Sequence, residues 1–208
     1  MSATYPFVRF SLSKNTDSHL YAPEIALILA AGLSYVFWPV DLTGFDTWLL
    51  FVIWVFISGS LISLALTNMK YLLLPDRMLK TLIISVSFYV LTAAALASQA
   101  QSGSAGDIIL TSLAGVLVLG LIPYILFQVS SGRWIGGGDV KLGAILGLLL
   151  GWKLALIALA AHLVLTYLII FIIGVTQYRL PGKLQVIPSG FIWAIVAIGT
   201  FVLGNYFI

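Results

Sequence analysis

The feature that most constrains this chain is a succession of long apolar runs separated by short polar loops. The runs cover about residues 22–40, 47–67, 78–98, 107–129, 140–151, 153–177 and 187–208. Six of the seven are long enough to cross a hydrocarbon core of about 30 Å, because about 20 helical residues suffice. The run at 140–151 provides only roughly 18 Å of helix, which predicts a short or partial span.

The composition indicates the same class of protein. Hydrophobic residues make up 61% of the chain and charged residues only 8%, with a mean hydropathy of +1.12, so a soluble domain is excluded. We therefore predict an all-α integral membrane protein, a polytopic bundle of six to seven transmembrane helices. Residues 1–20 are interpreted as a polar cytoplasmic or interfacial leader without the order of a secretory signal, and residues 21–208 as one membrane-embedded domain.

The positive residues predict how this bundle is oriented. With the N-terminus inside, nine of the ten lysines and arginines fall on the cytoplasmic side and only Lys153 lies outside. The opposite orientation would invert that ratio. We therefore expect the loop after the second run and the glycine-rich loop before residue 140 to face the cytoplasm.

Several kinds of chemistry are disfavoured by what the chain lacks. It has no cysteine and only two histidines, His19 and His162, which argues against disulfides, thiol nucleophiles and zinc proteases. His162 lies inside an apolar run, where a hydrogen-bonded core histidine is more frequent than a proton shuttle. No basic tract with interleaved aromatic residues suggests nucleic-acid binding. We predict no metal, no organic cofactor and no nucleic-acid partner.

Two polar groups stand at the ends of apolar runs. Asp139 opens directly into the run at 140–151, and a carboxylate beside hydrocarbon is costly enough that it usually has a function. Asn68 ends the second run, before Pro75 prevents the helix from continuing. In the predicted orientation these two side chains meet at one depth near the inner membrane surface. Asp139 follows three consecutive glycines, Gly136, Gly137 and Gly138.

The joint spacing of these motifs resembles that of the type IV prepilin peptidases, membrane aspartyl proteases of the GxGD class. In that family an aspartate stands seven residues before the proline of a Leu/Ile-Pro-Asp/Asn tripeptide, and a second aspartate closes the GxGD motif. Asp139 matches the second aspartate, whereas Asn68 stands at the position of the first. Residues 187–190 match a late Ile-Pro-Phe-Gly segment, with Ser189 in place of phenylalanine. The resemblance covers about residues 47–208.

The resemblance implies an aspartic endopeptidase that removes the leader from type IV prepilins or pseudopilins at the cytoplasmic face of the bacterial inner membrane. Such substrates carry a short basic leader ending in glycine, followed by an apolar helix that stays in the bilayer. Larger members of the family also methylate the product with a cysteine-bearing domain. This chain has neither the cysteines nor the length for that domain, so only the peptidase function is expected.

The amide at Asn68 changes this expectation. An aspartyl protease needs one carboxylate to take a proton from water and a second, protonated carboxyl group to polarise the scissile carbonyl. An amide cannot exchange that proton, so the chain is predicted to bind substrate and cleave it very poorly. Either the substitution was introduced at a catalytic position, or the chain is a natural pseudoprotease. The intact Asp139 and Lys141 and the Pro75-Asp76 pair favour an introduced substitution.

Other motif residues receive supporting roles. The three glycines leave room for an extended substrate peptide against the backbone. Asp76 is interpreted chiefly as an N-cap of the next helix, with a second role at the site left open. Lys141 either anchors its helix at the lipid headgroups or tunes Asp139. Pro188 belongs to the late matched segment. A stripe of small residues, Gly143, Gly147 and Gly151, predicts close packing of another helix.

Three alternatives remain open. The first is a different GxGD protease of the preflagellin or signal-peptide peptidase type, although the Pro75-Asp76 pair favours the prepilin branch over signal-peptide peptidases. The second is a non-catalytic protein that binds prepilins, a hypothesis motivated by Asn68. The third is a small transporter that uses Asp139 as a proton or cation site. The sequence leaves the exact substrate, the pilus, secretion or DNA-uptake system it serves, and the oligomeric state undetermined.

Overall fold

A computed structural model of the chain describes residues 32, 34–36, 44–71, 74–99, 104–132, 135–176 and 189–207. The predicted leader, residues 1–20, and most of the first predicted run lie outside the described residues. Of that run, residues 32 and 34–36 are helical. The remaining elements are α1 (Phe45–Tyr71), α2 (Asp76–Gln99), α3 (Ala105–Val116), a π-helical turn (Leu117–Leu121), α4 (Ile122–Val129), α5 (Gly137–Thr176) and α6 (Ser189–Phe207).

The described residues form an all-α membrane protein. Four helical segments among them are long and apolar enough to cross a bilayer, and Ser189–Gly204 is a shorter apolar helix. The four segments are Phe45–Tyr71, Asp76–Gln99, Ala105–Val129 and Gly137–Ile172. No described residue lies in a β-strand. The prediction of an all-α polytopic fold is confirmed.

Helix boundaries coincide with residues that cannot continue a helix or that cap one. The carbonyl of Pro75 accepts hydrogen bonds from the backbone amides of Met78 and Leu79 at 3.0 and 3.2 Å, and this starts α2. Ser104 caps α3, because its side chain accepts a hydrogen bond from the amide of Gly106 at 3.2 Å. These local signals mark the residues at which α2 and α3 begin.

Gly151 divides α5 into two helical halves. Its backbone has φ 68° and ψ 168°, which is outside the helical region and accessible chiefly to glycine. Beyond this break the side chain of Leu154 packs at Gly204 near the end of α6, whereas the ring of His162 stacks on Trp193 near its beginning. The second half of α5 therefore runs antiparallel to α6, as the separate runs at 140–151 and 153–177 predicted.

The glycine stripe on the first half of α5 brings two backbones into contact. A Cβ atom on Gly147 would overlap the carbonyl oxygen of Gly115 in α3, and one on Gly143 would overlap the carbonyl oxygen of Leu119 in the π-helical turn. Close packing of another helix against these glycines was predicted and is confirmed. The first half of α5 is therefore held tightly against α3 along its length.

The centre of the bundle is apolar, and so is much of its outer surface. Trp54 of α1 stacks on Phe201 of α6 with ring centroids 3.8 Å apart, and Leu82 of α2 is fully buried. Outward-facing side chains such as Ile84 and Phe171 are 69% and 68% exposed. Apolar side chains on both the inside and the outside of helices are typical of a bundle whose surroundings are lipid.

Candidate active site

Four helix ends meet at one end of the bundle. α1 ends there, and α2, α5 and α6 all begin there, as three contacts between these helices show. The hydroxyl of Ser189 donates a hydrogen bond to Asp139, the ammonium of Lys141 contacts Asp76, and Gly190 packs against Asn68. Three helix N-termini carry partial positive charge, which favours carboxylates at this place.

Asp139 is the third residue of α5. Its backbone amide donates to the carbonyl of Gly136 at 3.0 Å, so the glycine loop forms the first turn of the helix. Its carboxylate is partly buried, and Oδ1 accepts a hydrogen bond from the hydroxyl of Ser189 at 2.8 Å. A Cβ atom on Gly136 would lie 3.2 Å from Oδ2 of Asp139, tighter than most contacts of this kind. Because glycine has no side chain, Gly136 leaves room for the carboxylate of Asp139.

Asn68 lies one turn before the end of α1 and is 4% exposed. Its side-chain carbonyl oxygen is buried and has no hydrogen-bond partner among the described residues. A buried carbonyl oxygen of this kind can accept a hydrogen bond from a bound molecule. Position 68 thus places a buried polar group where the four helix ends meet.

The first two residues of α6 bring Asn68 and Asp139 to the same place. Ser189 hydrogen-bonds Asp139, and a Cβ atom on the adjacent Gly190 would lie only 3.0 Å from Cγ of Asn68. The two predicted site residues are 71 positions apart in the chain and contact neighbouring residues of one dipeptide. They therefore lie at the same end of the bundle and not at opposite ends.

Gly138 is the glycine of the loop that packs most closely. A Cβ atom there would lie 2.9 Å from Cβ of Leu74, which precedes Pro75 in the loop between α1 and α2. Gly136 and Gly137 are exposed. The glycine loop and the Pro75 loop thus adjoin each other beside Asp139. Pro188, the remaining predicted supporting residue, lies outside the described residues.

Asp76 and Lys141 form an ion pair between α2 and α5. The ammonium nitrogen of Lys141 lies 2.6 Å from Oδ1 of Asp76, and the two side chains are 59% and 67% exposed. Asp76 is the first residue of α2, while Pro75 supplies the carbonyl that caps the helix. Pro75 therefore occupies the N-cap position that was predicted for Asp76, and Asp76 is the first helical residue. Neither sequence-based interpretation of Lys141 included this pair.

The exposure of this ion pair predicts a small energetic effect. Replacing Asp76 by asparagine should leave the midpoint of unfolding nearly unchanged, since exposed pairs are screened by water. Unfolding of the purified protein in mixed detergent micelles measures the change, and Lys141→Gln should give a similar value. A large decrease in the midpoint would show that the pair is desolvated and contradict this expectation.

Sequence reasoning missed Ser189 and Gly190 as site residues. The signal was present, because residues 187–190 match a family segment in which serine replaces phenylalanine. His162 also differs from expectation. Its ring stacks on Trp193 with centroids 3.9 Å apart, but its buried Nδ1 has no hydrogen-bond partner among the described residues. It is a half-buried, stacked residue whose Nδ1 lacks the expected hydrogen bond among the described residues.

The fold and the site together define a polytopic membrane protein with a polar centre where helix ends meet. Comparison with protein families matches residues 54–206 to the type IV leader peptidase family. This match covers well over half of the chain, and the chain belongs to that family, whose members are peptidases. No curated protein and no solved structure matches the chain.

Proposed function

We propose that this chain is a short, peptidase-only type IV leader peptidase, an intramembrane aspartyl endopeptidase whose activity is lowered by Asn68. The observation that carries the proposal is the meeting of Asn68 and Asp139 at the Ser189–Gly190 dipeptide. The family match supports peptidase activity in general. Asp139 and residue 68 are the proposed catalytic positions.

Each residue receives a chemical role in this proposal. The ionised Asp139 takes a proton from a water molecule, which then attacks the carbonyl carbon of the scissile peptide bond. Asp139 returns that proton to the leaving amine when the C–N bond breaks. Residue 68 polarises the carbonyl oxygen, a task for which a protonated carboxyl group supplies an exchangeable proton. The amide of Asn68 can donate a hydrogen bond but cannot transfer the proton, so cleavage is slow.

The proposed substrates are prepilins or pseudopilins in a bacterial inner membrane. Their cleavage point lies between a basic leader and an apolar helix, which suits a site at the end of a helix bundle. The exposed Gly136 and Gly137 next to Asp139 leave room for an extended peptide backbone. The distribution of positive residues predicts that this end faces the cytoplasm. The chemistry described here requires no metal or organic cofactor.

The direct test is cleavage of a purified prepilin by the Asn68→Asp variant in detergent micelles. The expected product is cut after the leader glycine, as identified by mass spectrometry, and Asp139→Asn in the same background should abolish it. Cleavage at another position would favour a different protease of the GxGD class, such as a preflagellin peptidase. Cation flux that disappears in Asp139→Asn, without any cleavage, would instead support a transporter.

A second candidate function is a non-catalytic protein that holds prepilins. The side-chain oxygen of Asn68 favours it, because this oxygen has no partner among the described residues and a bound peptide could supply one with a backbone N–H. In this case the Asn68→Asp variant should remain inactive while the original chain binds prepilin measurably. Fluorescence anisotropy of a labelled prepilin peptide separates binding from cleavage.

Ser189 is proposed to position Asp139 for catalysis. Removing its hydroxyl by Ser189→Ala in the Asn68→Asp background should lower kcat about tenfold and leave KM within about twofold, because about 1.4 kcal/mol of positioning corresponds to a factor of ten. Ser189→Thr retains the hydroxyl and should keep most of the activity. Initial rates of prepilin cleavage give both constants. Equal kcat in the alanine and threonine variants would contradict the positioning role.

A further inference from the structure

A cavity of about 430 Å³ lies between α2, α3 and α5, on a different side of α5 from Asp139. Lys141 lines it and is two residues beyond Asp139, which places the two side chains about 200° apart around the helix. Asp139 faces α6, whereas this cavity faces α2 and α3. The cavity therefore adjoins the candidate active site at the Asp76–Lys141 pair but lies on the other side of α5 from Asp139.

The cavity changes from charged to apolar along the helices. Its lining residues on α2 include Asp76 and Lys80 at the helix start and Ile83 further along, and those on α5 run from Lys141 to Leu148. Seven residues of helix correspond to about 10 Å along the axis. The charged end therefore lies where the helices begin, and the apolar end lies deeper among the membrane-spanning segments.

The charged end carries a net positive charge. Asp76 is paired with Lys141, and Lys80 is a second ammonium group at the same mouth. The pair leaves one positive charge without a compensating carboxylate among the lining residues. An anionic group at the membrane surface would complement that charge, and attraction of an anionic lipid is worth about 1 kcal/mol per lysine near the surface.

From this combination we infer that the cavity binds one acyl chain of an anionic phospholipid, with its phosphate at Lys80 and Lys141. The acyl chain lies along Ile83 and Leu148, beside Val116 of α3. A zwitterionic phospholipid fits the apolar part equally well but adds a positive headgroup beside Lys80. The site should therefore select lipids by headgroup charge.

The apolar helix of a peptide substrate is a less suitable occupant. A substrate must present its scissile bond to Asp139, which lies on a different side of α5 from this cavity. A continuous helix has a diameter of about 10 Å and would require more open space than a single acyl chain. The inference concerns lipid binding alone and does not depend on the proposed peptidase activity.

Native mass spectrometry of the purified protein in detergent tests the inference with two lipids of equal chain length, phosphatidylglycerol and phosphatidylcholine. Phosphatidylglycerol should bind at least about fivefold more tightly, and Lys80→Gln should remove most of that preference. Lys153→Gln is the matched control, because Lys153 is exposed on the second half of α5 and does not line the cavity. It should leave the preference unchanged.

A second variant tests the apolar part of the site. Ile83 is 44% exposed, so the larger side chain of Ile83→Trp can fill the cavity without displacing buried neighbours. The variant should weaken the binding of both lipids by a similar factor. Equal binding of the two lipids to the original chain would overturn the inference. So would equal effects of Lys80→Gln and Lys153→Gln. Unchanged lipid binding in Ile83→Trp, together with lost binding of a prepilin helix, would assign the groove to peptide instead.

Discussion

Replacing Asn68 by aspartate is expected to raise the rate of prepilin cleavage by about 10²–10⁴-fold, the range that a positioned general acid or base contributes. The site offers the new carboxyl group a buried environment, since Asn68 is 4% exposed. Two carboxyl groups that share one site do not ionise together, so one of them is held in its protonated form, which is the form that polarises a carbonyl. The other carboxyl group can then act on water as the base.

The expected increase in rate comes from the exchangeable proton of the new carboxyl group and not from a change in side-chain shape. Asparagine and aspartate have nearly the same size, so the contact with Gly190 is retained in the variant. The double variant Asn68→Asp and Asp139→Asn restores one carboxyl group while removing the other, and it should be as inactive as the original chain. Measurement of kcat/KM for all three proteins with one prepilin decides the point. Equal activity of the original chain and Asn68→Asp would contradict the assignment of residue 68.

The helical bundle was largely predictable from the sequence, because the length of an apolar run directly limits the helix that crosses a bilayer. The predicted runs at 47–67 and 78–98 correspond to Phe45–Tyr71 and Asp76–Gln99. The helices extend beyond the runs because backbone hydrogen bonding continues into the polar region of the membrane surface, where side chains no longer need to be apolar. Hydropathy therefore detects the helix but underestimates its length.

The π-helical turn within the predicted run at 107–129 was not anticipated. Pro123 lacks the N–H group that would bond the carbonyl of Leu119 in a regular helix, and a π-helical turn shifts the hydrogen bonding by one residue. The carbonyl of Leu119 also faces Gly143 of α5. A proline alone predicts that the helix is irregular. Which irregular turn forms depends on packing against the neighbouring helix, and the sequence around the proline does not reveal that packing.

The placement of Asn68 and Asp139 could be inferred from the sequence, whereas their hydrogen-bonding partners could not. Short loops and the number of spans decide which helix ends share a side, and these are local properties. The bond from Ser189 to Asp139 and the pair of Lys141 with Asp76 join residues 50 and 65 positions apart. Such contacts depend on the rotation of each helix about its axis, which is set by packing of the whole bundle.

The rotation of α5 rests on its glycines, and Gly147→Ala is therefore expected to destabilise the protein by about 3 kcal/mol or more, the upper end of the range for overpacking. The added Cβ atom would overlap the carbonyl oxygen of Gly115, and Val116 N would lie 2.9 Å from it. Both neighbours are backbone atoms, so no side-chain rotation can relieve the overlap. Thermal unfolding in detergent should show a decrease in Tm of about 6–12 °C.

Gly199→Ala is the matched control for this substitution. Gly199 also lies within a helix, but among the described residues no heavy atom outside its own helix backbone lies within 4 Å of a Cβ atom built there. Both substitutions make the same change in intrinsic helix preference, which favours alanine by about 0.5–1 kcal/mol, so Gly199→Ala should leave Tm unchanged or slightly raised. Equal Tm values for the two variants would contradict a backbone contact between α3 and α5. In the Asn68→Asp background, Gly147→Ala should also lower cleavage, because the same half of α5 carries Asp139 at its start.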